Sequence, residues 1–162
     1  MSEKKQNNIK STILQLGLVL LIVLGYFLID FNGIYQSLKG EVKYITQNEQ
    51  CDLHDSYCSI RIQDGTIFTL SIEPKSIPLM KPLTFSIKSN KDNLENLTLN
   101  IYSTNMFMGE FYLPIKNLGN GNYQAIGTLP TCPVGGMHWN ADIKIEKATE
   151  NIGARFQFKT DI

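Results

Sequence analysis

The chain has 162 residues, and its 15 lysines and arginines balance 15 aspartates and glutamates, so the formal charge is zero. That length holds one ordinary domain plus an appendage, and the lack of a basic excess disfavours nucleic acid as a partner. Hydrophobic residues make up 43% and charged residues 19%, a composition that folds rather than staying disordered.

The first element in chain order is an apolar run. From Thr12 to Ile29 it reads TILQLGLVLLIVLGYFLI, with one amide at Gln15 and no charge. A helix of that length rises about 27 Å, close to the hydrocarbon thickness of a bilayer. Lys4, Lys5 and Lys10 precede it and Asp30 follows it. By the positive-inside rule the N-terminus is expected in the cytoplasm and the remainder outside. The stretch Asp30-Phe31-Asn32-Gly33-Ile34-Tyr35 offers no small-x-small cleavage site, so an uncleaved anchor is expected rather than a signal peptide. The expected organisation is a cytoplasmic tail over 1–11, a transmembrane helix over 12–31, a linker over 32–41 and a domain outside the cytoplasm over 42–162, which the resemblance given below implies to be periplasmic. A single-pass membrane protein is the expectation from these criteria.

Beyond the linker the pattern has period two. A first strand is expected at Val42–Thr46. Asp64-Gly65 lies between the apolar runs Ile60–Ile62 and Ile67–Ile72 and signals a hairpin. Leu83, Phe85 and Ile87 alternate with Thr84, Ser86 and Lys88; Leu97, Leu99 and Ile101 alternate with Thr98 and Asn100. Gly119-Asn120-Gly121-Asn122 reads as a turn between strands at Phe111–Ile115 and Tyr123–Leu129. Trp139, Ala141, Ile143 and Ile145 alternate with polar residues, and Phe156 and Phe158 flank Gln157. Such alternation buries one face and wets the other, as in antiparallel sheets. Eight or nine short strands of this kind predict an all-β domain, an immunoglobulin-like or cupredoxin-like β-sandwich.

The three cysteines, Cys51, Cys58 and Cys132, all fall on the side expected to be oxidising. They allow three single bridges. The local Cys51–Cys58 bridge closes most easily around a polar loop, and a bridge from either to Cys132 is the alternative. Without a Cys-x-x-Cys pair, thioredoxin-type chemistry is not supported.

Two segments carry soft donors. One is Asn105-Met106-Phe107-Met108-Gly109; the other is Thr131-Cys132-Pro133-Val134-Gly135-Gly136-Met137-His138-Trp139. Thioether, thiolate and imidazole suit Cu(I). Met106, Met108, Cys132, Met137 and His138 would form one site if both segments lie at the same end of the domain. Methionine is also a common core filler, and His138 beside Trp139 also reads as a plain strand residue. With two histidines and no nucleophile-elbow, zinc-protease, P-loop or dinucleotide-binding signature, no enzyme is expected.

Several pieces together resemble a known group. They are the anchor, Cys51…Cys58-Ser59-Ile60-Arg61-Ile62, Ser71-Ile72-Glu73-Pro74 with Pro78 to Leu83, Met106-Phe107-Met108-Gly109, and Leu129-Pro130-Thr131-Cys132…Met137-His138-Trp139-Asn140-Ala141. They resemble small proteobacterial inner-membrane proteins encoded near Sco-type copper chaperones and cytochrome oxidase assembly factors. Gly121-Asn122-Tyr123-Gln124-Ala125 onward to Trp139 is similar to the periplasmic domains of FixH and YtkA-like proteins. The resemblance implies a Cu(I)-handling or oxidase-assembly role, with a Sco-type chaperone or an oxidase subunit as partner. A metal-free sandwich that docks on another envelope protein is the competing expectation.

Overall fold

The computed structural model describes residues 42–106, 108–131, 135–146 and 151–160, together with Gln15, Gly17 and Val19, which are helical. The chain divides into two units, Met1–Gly40 and Glu41–Ile162. The cytoplasmic tail, the anchor and the linker expected from the sequence lie, apart from those three helical positions, outside the described residues. Among the described residues no helix is long and apolar enough to cross a membrane.

Among the described residues the second unit is all-β. Its strands are β1 (Val42–Thr46), β2 (Cys58–Arg61), β3 (Ile67–Glu73), β4 (Pro82–Ser89), β5 (Leu97–Ser103), β6 (Glu110–Leu113), β7 (Ile115–Gly119), β8 (Asn122–Thr128), β9 (Met137–Glu146) and β10 (Asn151–Thr160). They form two five-stranded sheets, one ordered β1-β10-β9-β5-β6 and the other β2-β3-β4-β8-β7. The pairings are antiparallel except at one edge, where β1 runs parallel to β10.

Period-two burial builds the core. Leu83, Phe85 and Ile87 of β4 point inward from one sheet, and Trp139, Ala141 and Ile143 of β9 from the other. Phe68, Leu70 and Ile72 of β3 and Phe156 and Phe158 of β10 join the same cluster. Each large apolar side chain buried this way contributes about 1.5–3 kcal/mol. Leu53, Ile77 and Leu129 plug the core from loops.

The segment 111–115, expected as one strand, is two. Pro114 has no N–H to donate and cannot continue a ladder, so the chain leaves the first sheet after Leu113 and enters the second at Ile115. The β7–β8 hairpin turns at Asn120-Gly121, both with positive φ (51° and 72°), as a two-residue hairpin turn of this hand requires. A Cβ on Gly121 would sit 2.4 Å from the Ser89 carbonyl oxygen, so glycine is needed there for space as well as conformation.

Candidate functional site

The two soft-donor segments meet, and sheet pairing is the cause. β5 and β9 are antiparallel neighbours with Ser103 opposite Trp139. The residues leaving β5 and those entering β9 are therefore forced to one end of the sheet. Asn105 laces them together. Its Nδ2 donates to the Gly136 carbonyl at 3.0 Å, and its Oδ1 accepts from the His138 amide at 3.1 Å and from the Ser103 hydroxyl at 3.0 Å. The Thr104 amide and hydroxyl both donate to the His138 carbonyl, at 2.8 and 3.3 Å.

Within this arrangement the expected ligands separate by burial. Met106 is 38% exposed at the loop surface, and Met108 is half-buried against the core edge. Met137 is 1% exposed and packs inside the core. His138, its neighbour on a strand, projects to the opposite, solvent face. The structure thus brings Met106, Met108 and His138 to one end and sets Met137 inside the core there, not beside His138. Cys132 lies outside the described residues. No group of three or more His, Cys, Asp or Glu side chains able to hold a metal occurs among the described residues.

A cleft of about 440 Å³ opens beside this end, lined in part by Gln47, Asp52, His54, His138, Asn140 and Gln157. One of its walls is the loop closed by the Cys51–Cys58 disulfide. The loop is further anchored by Leu53, which is fully buried. Gln47 ties the chain after β1 to this corner, its Nε2 donating to the carbonyls of Gln157 and Cys51 at 2.6 and 3.2 Å.

The solvent face of the first sheet continues from the cleft as a polar row that alternation alone marks as wet. Asp142 is 3% exposed, and Asn140 is 6% exposed. Arg155 grips Asp142 with two hydrogen bonds of 2.8 Å, Nε to Oδ1 and Nη2 to Oδ2. The Tyr102 hydroxyl donates to Asp142 at 3.2 Å and accepts from Asn140 Nδ2 at 3.0 Å. Gln157 Nε2 donates to Asn140 Oδ1 at 3.1 Å. The guanidinium lies over the Tyr44 ring, 4.5 Å from its centroid, and 5.9 Å from that of Tyr102. Tyr44 in turn covers Gly153, where a Cβ would meet the ring at 2.5 Å.

This packing alters the phenols. Burial, and after it the Asp142 charge, raises Tyr44 well above the ordinary 10.0. Burial also raises Tyr102, with the Asn140 hydrogen bond opposing it. The folded state holds these protons more tightly than the unfolded chain. Their contribution to stability is therefore complete below the ordinary tyrosine value and is lost as pH rises through the folded values. Replacing Tyr44 or Tyr102 by phenylalanine should remove from an ultraviolet phenolate titration a phenol that ionises above the ordinary value. Loss of a phenol that ionises near 10 in either variant would contradict the burial of this row.

Compared with protein-family models, curated proteins and solved structures, the chain matches none.

Proposed function

We propose that this chain is a non-catalytic, membrane-tethered β-sandwich that handles Cu(I) outside the cytoplasm, for delivery to a respiratory oxidase or for copper homeostasis. The observation that carries the reading is the lacing of the Met106–Met108 loop to the start of β9 by Asn105. It draws two methionines and His138 to one end of the domain. Met106, Met108, Cys132 and His138 supply a soft, exchangeable donor set, and Met137 packs beneath it. The Cys51–Cys58 bridge supports an oxidising compartment, and the apolar run 12–29 supports a tether in the inner membrane. A Sco-type chaperone or an oxidase subunit is the partner this reading calls for.

The strand order supports an immunoglobulin-like version of the sandwich. Without β2, one sheet runs β3-β4-β8-β7, the arrangement of strands A-B-E-D, and β10-β9-β5 in the other follows G-F-C.

The test is a Cu(I) competition titration of the detergent-solubilised full chain against a chromophoric chelator, without oxygen. The wild type should take up one equivalent. Met106→Ser/Met108→Ser should bind at least about tenfold more weakly, a loss of about 1.4 kcal/mol. Equal binding by the two proteins would overturn the assignment.

One observation favours a metal-free docking module instead. The outer face of the second sheet forms a shallow trough of about 830 Å³, floored by Ser59, Thr69, Ser71 and Ser86. Its lips are Tyr57 and Leu118, 64% and 53% exposed. Small hydroxyl side chains between two apolar lips fit a segment of another envelope protein.

A further inference from the structure

His54 holds an arrangement that a neutral imidazole cannot satisfy. Its Nδ1 lies 2.9 Å from the Lys75 carbonyl oxygen and its Nε2 lies 2.7 Å from the Lys159 carbonyl oxygen. Carbonyl oxygens only accept, so both ring nitrogens must donate, and a neutral ring carries one N–H. The imidazolium carries two. We propose that His54 is a proton-operated latch, which in its protonated form pins the disulfide loop to the turn after β3 and to the end of β10, and so closes one wall of the cleft.

Leu53 and the disulfide hold the base of the loop, and His54 joins its tip to the two neighbouring elements. Within the loop, the His54 amide donates to Asp52 Oδ1 at 2.8 Å and the Ser56 amide to the Asp52 carbonyl at 3.2 Å. Lys75 Nζ returns a bond to the Ser56 carbonyl at 2.9 Å, which keeps the loop near the turn whatever the state of the ring. The loop is linked to β10 at its start through Gln47, which donates to the carbonyls of Cys51 and Gln157, and at its tip through His54 Nε2. Lys159 is the register partner of His138, so the latch braces the strand directly beside the cleft's second histidine.

The charged and titratable groups around the ring come from each packed element. They are Asp52 and Asp55 from its own loop, Glu49 from the segment after β1, Glu73 at the end of β3, Lys75 in the turn that follows, His138 from β9 and Lys159 from β10. Imidazole is the side-chain type that ordinarily changes charge between about pH 5 and pH 8. Acidification therefore closes the latch, and a rise in pH removes one of the two bonds. The inference stands on the geometry of His54 alone and does not require that copper be bound.

The test is ¹⁵N NMR of the imidazoles together with amide hydrogen exchange on the detergent-solubilised full chain. At low pH both His54 nitrogens should show the protonated, donating signature. Raising the pH to about 8 should lower protection of the Ser56 and Ile77 amides by about tenfold after correction for intrinsic exchange, the loss of one hydrogen bond, and leave the distant Ser89 amide unchanged. His54→Gln should abolish that pH dependence and His138→Gln should retain it. A neutral His54 ring throughout the range, protection that ignores pH, or a dependence that survives in His54→Gln would each overturn the latch. Loss of the dependence in His138→Gln instead would assign the switch to the wrong histidine and overturn it equally.

Discussion

Arg155→Met is expected to destabilise the domain by about 3 kcal/mol, the low end of what removing one partner of a buried ion pair costs. Asp142 is 3% exposed and would keep, among the described residues, the Tyr102 hydroxyl against its charge. The low end applies because the Arg155 side chain is itself 29% exposed and partly hydrated. The substitution also removes the cation from the Tyr44 ring, which lies on the edge strand β1, so β1 should loosen first. Urea unfolding should show a lowered midpoint with an unchanged slope. Arg155→Met/Asp142→Leu should recover most of the loss, because the desolvation penalty leaves with the charge. A single-variant loss below about 0.5 kcal/mol would mean that the row behaves as solvated surface.

Trp139→Ala should cost about 3–5 kcal/mol. The indole is 1% exposed and is the largest side chain fully enclosed by the core. Its Nε1 donates to the Thr160 hydroxyl at 3.0 Å, and Thr160 is 2% exposed, so truncation adds an unpaired buried hydroxyl to the cavity. Trp139→Phe keeps most of the bulk and loses that bond, which should cost about 1–3 kcal/mol. Because Trp139 sits between His138 and Asn140 on β9, the alanine variant should also disturb the cleft, seen as a shift of the His138 ring resonances. An alanine variant as stable as the wild type would place the indole outside the core.

Much of this fold is written in local alternation. Val42–Thr46 is a strand with the bounds its pattern suggests, and Leu83, Phe85, Ile87, Trp139, Ala141 and Ile143 all face inward as period two requires. Asp64-Gly65 makes its hairpin and the Cys51–Cys58 loop closes locally. What alternation cannot carry is which strands pair. The parallel contact of β1 with β10 joins residues more than a hundred positions apart. The meeting of the methionine loop with β9 depends on β5 and β9 being neighbours, again a long-range fact. Asp142 and Asn140 occupy positions that alternation assigns to solvent, yet Arg155 and Tyr102 cover them. The clue was present as an aspartate and an arginine at matching positions of two adjacent strands, but it becomes readable only once their register is known. Pro114 is a local signal too, and it splits a strand between two sheets.

The central claim, that one soft site is built where the two loops meet, is tested most directly by the methionine methyl resonances during Cu(I) addition. The chain has five methionines: Met1, Met80, Met106, Met108 and Met137. One equivalent of Cu(I) should shift the Met106 and Met108 methyls and the His138 ring together and saturably. Met80, exposed in a different loop, should not move. Unshifted Met106 and Met108 methyls at one equivalent, or shifts at Met1 and Met80 alone, would contradict the account.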